Sequence, residues 1–186
     1  MENIHIREDT AIVLDFLPNG YPFDRTPSHR KNSIVQAIGK KHFILLELVP
    51  KKESTLQPGE EIYIGDGKRD KIHHILGKLE ASKLTRTAEE ELKFVVEGVV
   101  KDNEERFVKF FNNAQPLTTR MHQVELLPGL GKKHMWEIIE ERKVEPFKDF
   151  ADIKKRVRLM PDPKKIIISR IVTEIIGNEK HHLFVG

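Results

Sequence analysis

The chain has 186 residues, 38% of them hydrophobic and 33% charged, and 32 Lys and Arg set against 29 Asp and Glu leave a formal net charge of +3. That balance excludes a blanket polycation, so any polyanion has to be met by a local patch. The lack of cysteine removes disulfides, thiolate zinc sites and cysteine nucleophiles; no apolar run approaches the ~18 residues of a membrane span, and Met1-Glu2-Asn3-Ile4-His5 lacks a secretory profile, which together imply a cytoplasmic protein.

Residues 1–82 hold the β-type segments and residues 83–186 the helical ones, so the fold class expected is α+β: a small OB-like β-barrel followed by a helical domain. Ala11-Ile12-Val13-Leu14-Asp15-Phe16-Leu17 reads as a strand closed by Pro18-Asn19-Gly20. Residues 33–38 fit a short helix or a loop. Phe43-Ile44-Leu45-Leu46-Glu47-Leu48-Val49 is a strand stopped by Pro50, Glu61-Ile62-Tyr63-Ile64 one that ends at Gly65-Asp66-Gly67, and Lys71-Ile72-His73-His74-Ile75-Leu76 another. Short strands with Gly and Pro punctuation suggest a curled or closed sheet, since closure leaves no unpaired edge.

The periodicity then changes. Thr87-Ala88-Glu89-Glu90 resembles a helix start, with Leu92, Val95, Val96, Val99 and Val100 at helical spacing. Phe107, Phe110, Phe111 and Ala114 continue the pattern beyond Asp102-Asn103, until Pro116. Thr118 or Thr119 is expected to cap a helix through Met121, His122, Val124 and Glu125 to Leu127. Three more helices are predicted over residues 132–142, 149–158 and 164–176, the last turning Ile167, Ile168, Ile171, Val172, Ile175 and Ile176 inward.

Leu126-Leu127-Pro128-Gly129-Leu130-Gly131-Lys132-Lys133 lies between two of these stretches. Its glycines permit a tight turn and leave the main chain bare, and the amides that follow start a helix, where unpaired donors and the helix dipole favour an anion. An apolar-Pro-Gly-apolar-Gly turn between helices is similar to the helix-hairpin-helix motif, placed here at residues 118–143, which grips the sugar–phosphate backbone. The candidate contacts are Gly129, Leu130, Gly131, Lys132 and Lys133. The plain alternative is a helix–helix turn in which Gly129 ends a helix and nothing binds. A degenerate second hairpin is expected within residues 153–176, where Pro161-Asp162-Pro163 replaces the glycine turn and Lys164, Lys165 and Arg170 add side-chain contacts. Residues 148–170 carry eight basic groups (Lys148, Lys154, Lys155, Arg156, Arg158, Lys164, Lys165, Arg170) against Asp149, Asp152 and Asp162.

A second surface is offered by the front half. Arg25, His29, Arg30 and Lys31 cluster in one loop and Lys68, Arg69 and Lys71 in another, with Tyr21, Phe23 and Tyr63 as the aromatics available to stack on single strands. The alternative is a core-forming barrel with ordinary charged loops.

Several strings beyond the hairpin carry a family resemblance: Phe43-Ile44-Leu45-Leu46-Glu47, Phe107-Val108-Lys109-Phe110-Phe111-Asn112, Arg120-Met121-His122 running into Glu125-Leu126-Leu127-Pro128-Gly129, and Phe147-Lys148-Asp149-Phe150-Ala151-Asp152-Ile153. Over nearly its full length the chain resembles an uncharacterised archaeal family described as predicted nucleic-acid-binding proteins. The resemblance implies an OB-like front, a helix-hairpin-helix back and work on RNA or DNA.

Catalysis is not expected, nor a cofactor or a metal. A lyase or glycosylase reading needs Lys133 in the turn with Asp149 or Asp152 as its carboxylate, but Asp149 suits a helix cap and a β-rich front supplies no base-flipping pocket. Adjacent pairs such as His73-His74 and His181-His182 diverge on a strand and do not chelate one ion. The expected function is sequence-independent nucleic-acid binding. Its alternative is a protein-docking scaffold in a ribonucleoprotein or repair complex.

Overall fold

Valine, isoleucine and leucine crowd the segments between the Pro and Gly punctuation of the front half. They pair as five antiparallel strands in the computed structural model, which describes residues 7–27, 30–177 and 179–186; His29 lies outside them. The strands are β1 (Thr10–Leu17), β2 (Ile34–Gly39), β3 (Leu45–Pro50), β4 (Glu61–Tyr63) and β5 (Ile72–Lys78), ordered β4-β1-β2-β3-β5. Residues 33–38, for which the pattern offers a helix or a loop, supply the central strand β2. Every residue of β2 is buried, so no alternation of apolar and polar positions marks it.

Register shifts in β1 and along the β3–β5 pair bend the sheet into a half-barrel. Its outer strands are β4 and β5, and no ladder joins them among the described residues, so the closed barrel is not formed. The concave core gathers Val13, Val35, Ala37, Leu46, Leu48, Ile62, Ile64 and Ile72. At one bulge Ile72 faces Pro50 and His74 faces Val49, leaving His73 unpaired in the ladder. There the His73 and His74 rings do not diverge: their Nδ1 atoms lie 2.7 Å apart.

A buried polar side chain ties the sheet to the helix that follows. Gln36 donates to the Tyr21 hydroxyl at 3.1 Å and the Lys83 carbonyl at 2.8 Å, and accepts the Thr85 N–H at 2.9 Å. The Thr85 hydroxyl donates to Asp15 at 2.5 Å and accepts the Ala88 N–H at 3.1 Å. Thr85, rather than Thr87, therefore caps α1 (Arg86–Asp102).

The later elements are α2 (Glu104–Asn113), β6 (Pro116–Thr118), β7 (Met121–His122), α3 (Lys132–Val144), α4 (Phe150–Arg156) and α5 (Pro163–Ile176). Residues 118–127, where the spacing predicts a helix, form the β6–β7 hairpin and a single 3₁₀ turn, Gln123–Leu126. The His122 side chain accepts the Val124 N–H at 3.2 Å and the Glu125 carboxylate accepts the His122 N–H at 2.8 Å. Apolar residues three apart suit a 3₁₀ turn as well as an α-helix, so Met121, Val124 and Leu127 could not separate the two. Ile176, expected to face inward, is exposed.

The chain packs as two compact units: the described residues up to Val95 together with Glu174–Gly186, and Val96–Thr173. The sequence-based boundary near residue 82 leaves the terminus with the helices. Hydrogen bonds return it to the first unit: Gly186 N–H reaches the His42 carbonyl at 3.2 Å, and the Glu174 carboxylate accepts the amides of Leu183 (2.8 Å), Phe184 (3.0 Å) and Val185 (3.0 Å). The second unit is cored by Phe107, Phe111, Ile138, Ile153 and Ile167, each fully buried.

Candidate nucleic-acid interface

Leu127 and Leu130 are buried apolar anchors, and between them the chain must reverse. The Leu130 N–H donates to the Leu127 carbonyl at 3.2 Å, with Pro128 second and Gly129 third at φ +78°, the type II turn that this order of residues favours. Leu130 is thus an anchor and its amide is spent, which removes it from the set of open contacts. Gly131 is the N-cap of α3 at φ −114°, a torsion that any residue adopts, so its use lies in the lack of a side chain. No side chain caps α3, and among the described residues nothing accepts the amides of Gly131, Lys132, Lys133 or His134. Those donors, with Lys132 and Lys133 exposed on the same turn, form an open positive end.

The turn between α4 and α5 packs beside it. Gly129 faces the Pro161 ring, His134 Nε2 lies 3.3 Å from the Leu159 carbonyl, and the Arg158 N–H donates to Glu137 at 2.6 Å. Leu159 holds φ +54°, rare for a branched side chain, and is 81% exposed. The start of α5 is built the opposite way from that of α3. Pro163 has no N–H, and Asp162 Oδ1 accepts the amides of Lys164 (3.0 Å) and Lys165 (3.3 Å). A carboxylate already occupies the place that a phosphate would take.

The basic run is partly spent in the same unit. Arg170 is buried and donates to the Leu126 carbonyl at 3.1 Å, bracing the turn from below rather than offering a contact. Lys164 lies 3.5 Å from Glu97, Lys148 pairs with Glu145, and Arg156 bonds Glu141 and Asp152 while lying over the Phe147 ring. Lys154, Lys155, Arg158 and Lys165 stay exposed with no acidic partner among the described residues. Asp149 caps α4 through the Asp152 N–H at 2.7 Å, and Asp152 receives the Lys148 amide at 3.1 Å, so both aspartates are held in local structure.

On the first unit the second surface is thinner than its sequence suggests. Lys71 pairs with Glu60, Arg69 donates to the Gly65 carbonyl at 2.8 Å, and Lys31 to the Tyr21 carbonyl at 3.2 Å. Arg25, Arg30 and Lys68 remain exposed. Of the aromatics, Tyr21 is committed to Glu47 at 2.6 Å, and burial followed by that carboxylate pushes its hydroxyl up to about 12. Tyr63 covers the Gly65–Gly67 turn and accepts the Gly67 N–H at 3.0 Å; of these three aromatics, Phe23 stands clearest of the protein.

A cleft of about 420 Å³ lies between the β6–β7 hairpin and α3, and no motif or spacing points to it. Its lining includes Arg120, His122, Lys132, Met135, Trp136 and Arg142. Arg142 Nη1 donates to the Phe111 and Ala114 carbonyls, both at 3.0 Å, and burial lowers its pKa. Burial, and then the Arg142 charge, also hold the His122 imidazole below its usual range. Among the described residues no group of three or more His, Asp or Glu could hold a metal ion, and no helix is long and apolar enough to cross a membrane.

Residues 7–186 match a family described as protein of unknown function, DUF655. The uncharacterized protein MJ0038 of Methanocaldococcus jannaschii is 44% identical over 180 residues, covering 96% of this chain and 80% of that protein. The crystal structure of Af1531 from Archaeoglobus fulgidus, assigned to DUF655, aligns with a TM-score of 0.86 at 46% identity, over 96% of this chain and 100% of the other.

Proposed function

Since the chain belongs to the DUF655 family, a group of uncharacterised archaeal proteins, we propose that it is a non-catalytic module that binds the nucleic-acid backbone without reading sequence. The observation that carries this reading is the contrast between two helix starts: α5 is closed by Asp162, whereas α3 is uncapped and flanked by Lys132 and Lys133. A phosphate set against the amides of Gly131 to Lys133 completes hydrogen bonds that the protein leaves open, and the two lysines neutralise its charge. The 3₁₀ turn, the Pro-Gly turn and α3 act as a helix-hairpin-helix-like grip with a shortened first arm. The half-barrel is read as OB-like, with Arg25, Arg30 and Lys68 as a weaker second contact. Backbone contacts ignore base edges, so DNA and RNA are both served, in the cytoplasm.

The test is a titration of duplex DNA, duplex RNA and single strands at several salt concentrations, followed by Trp136 emission. The logarithm of affinity should fall linearly with that of salt, by about 0.9 for each B-DNA phosphate neutralised. No response to any of them, with a negative gel shift at low salt, sinks the proposal; binding that ignores salt points to protein docking instead.

A further inference from the structure

We infer that the cleft between the β6–β7 hairpin and α3 is a nucleotide pocket, taking one unstacked heteroaromatic base with its phosphate at Lys132. This deepens the reading above and rests on it at one point, because Lys132 both opens α3 and lines the cleft. The volume of about 420 Å³ lies in the range of sites for small ligands. Its wall is of the mixed kind that a base requires. Met121, Met135 and Ile139 supply apolar surface, and Trp136, 60% exposed, brings an indole face on which a flat ring can stack.

The selective element is His122, which is 4% exposed and lines the cleft. Its Nδ1 accepts the Val124 N–H, so that atom carries no proton and Nε2 carries it. No described residue accepts the Nε2 proton. Among the described residues no fully buried side-chain nitrogen or oxygen lacks a partner, so Nε2 opens onto the cleft, where its proton is available to a ligand, and a base offers carbonyl oxygens and ring nitrogens for it. The lowered pKa favours the neutral ring, a donor with one free N–H rather than a further cation. Arg120, Lys132 and Arg142 also line the cleft against the lone carboxylate of Glu125, which is bonded to the His122 N–H. Three positive groups and one negative favour a ligand that is anionic at one end and planar and aromatic at the other. A nucleotide has that chemistry, whether free or as an unpaired residue of a strand.

Calorimetry on the full chain separates these possibilities. The ligands are the four nucleoside 5′-monophosphates, ribose 5-phosphate as a control without a base, a short single strand with and without one abasic position, and duplex DNA. The variants are Trp136→Leu and His122→Asn, the second keeping an acceptor for the Val124 amide. Monophosphates should bind about tenfold more tightly than ribose 5-phosphate, and Trp136→Leu should remove that advantage. Duplex affinity should stay within about twofold in Trp136→Leu, since backbone contacts do not use the indole. An intact strand that outbinds its abasic partner assigns the pocket to strands; monophosphate binding without that difference assigns it to free nucleotides. Equal binding of ribose 5-phosphate, or monophosphate binding untouched by both variants, overturns the pocket. Duplex binding with no monophosphate binding overturns the pocket but spares the backbone grip. The reverse, base-dependent monophosphate binding with no duplex binding, sinks the backbone grip and leaves the pocket standing.

Discussion

Gly129 and Gly131 stand two residues apart in one string, yet the backbone asks different things of them. At φ +78° a Cβ on residue 129 is strained, so Gly129→Ala should cost about 1 kcal/mol or more in urea unfolding. Gly131 has an ordinary extended torsion and open space around it, so no such strain applies there. From the sequence the two glycines look alike, because spacing carries no torsion. His122 shows the same limit: a lone histidine before a turn reads as packing, and nothing in the string tells that its Nδ1 caps a 3₁₀ turn or that it lines a cleft with Arg142. Its burial has a consequence with a definite sign. A histidine whose folded pKa lies below its unfolded value of about 6.5 contributes fully above that pH, and the contribution is lost as pH falls through it toward the folded pKa. The stability difference between the protein and His122→Asn should therefore shrink on acidification from pH 7 to pH 5, in urea midpoints measured side by side. A constant difference would show that His122 does not titrate differently in the fold.

Helix starts provide the sharpest comparison between elements. Asp162 gives α5 a cap, and Asp162→Ala should lose about 0.5–2 kcal/mol. Transferring that chemistry to α3 reverses the two effects: Gly131→Asp should raise the melting temperature, because a carboxylate fills open amides, and should abolish nucleic-acid binding for the same reason. A variant that is both more stable and inactive is difficult to obtain by accident; unchanged binding would mean that the amides are not the grip. Helix α4 was legible because its cap Asp149 and its apolar spacing agree, α5 from the spacing of its isoleucines, and the uncapped α3 from the Pro-Gly turn before it. Strand β2 was not, since burial on both faces erased its alternation, and neither was the β6–β7 hairpin, whose strands are too short to show a period.

Across the molecule, charge is nearly balanced, so location rather than quantity decides where a polyanion can settle. Replacing Lys132 and Lys133 together by Gln should flatten the salt dependence by about 2 in slope, against a smaller change for Lys68→Gln, in titrations over a range of salt. The reverse ranking would move the principal contact to the half-barrel. The α+β class and the order of strands before helices could be read from composition shifts along the chain, whereas the return of the terminus could not, because Glu174 recruits amides nine to eleven residues away through its side chain. That return has a bearing on biosynthesis. The unit that contains the sheet is discontinuous, begun by the residues that leave the ribosome early and finished by Glu174–Gly186. The first unit therefore cannot complete its packing until the intervening helices have been translated, however early the strands of its sheet emerge.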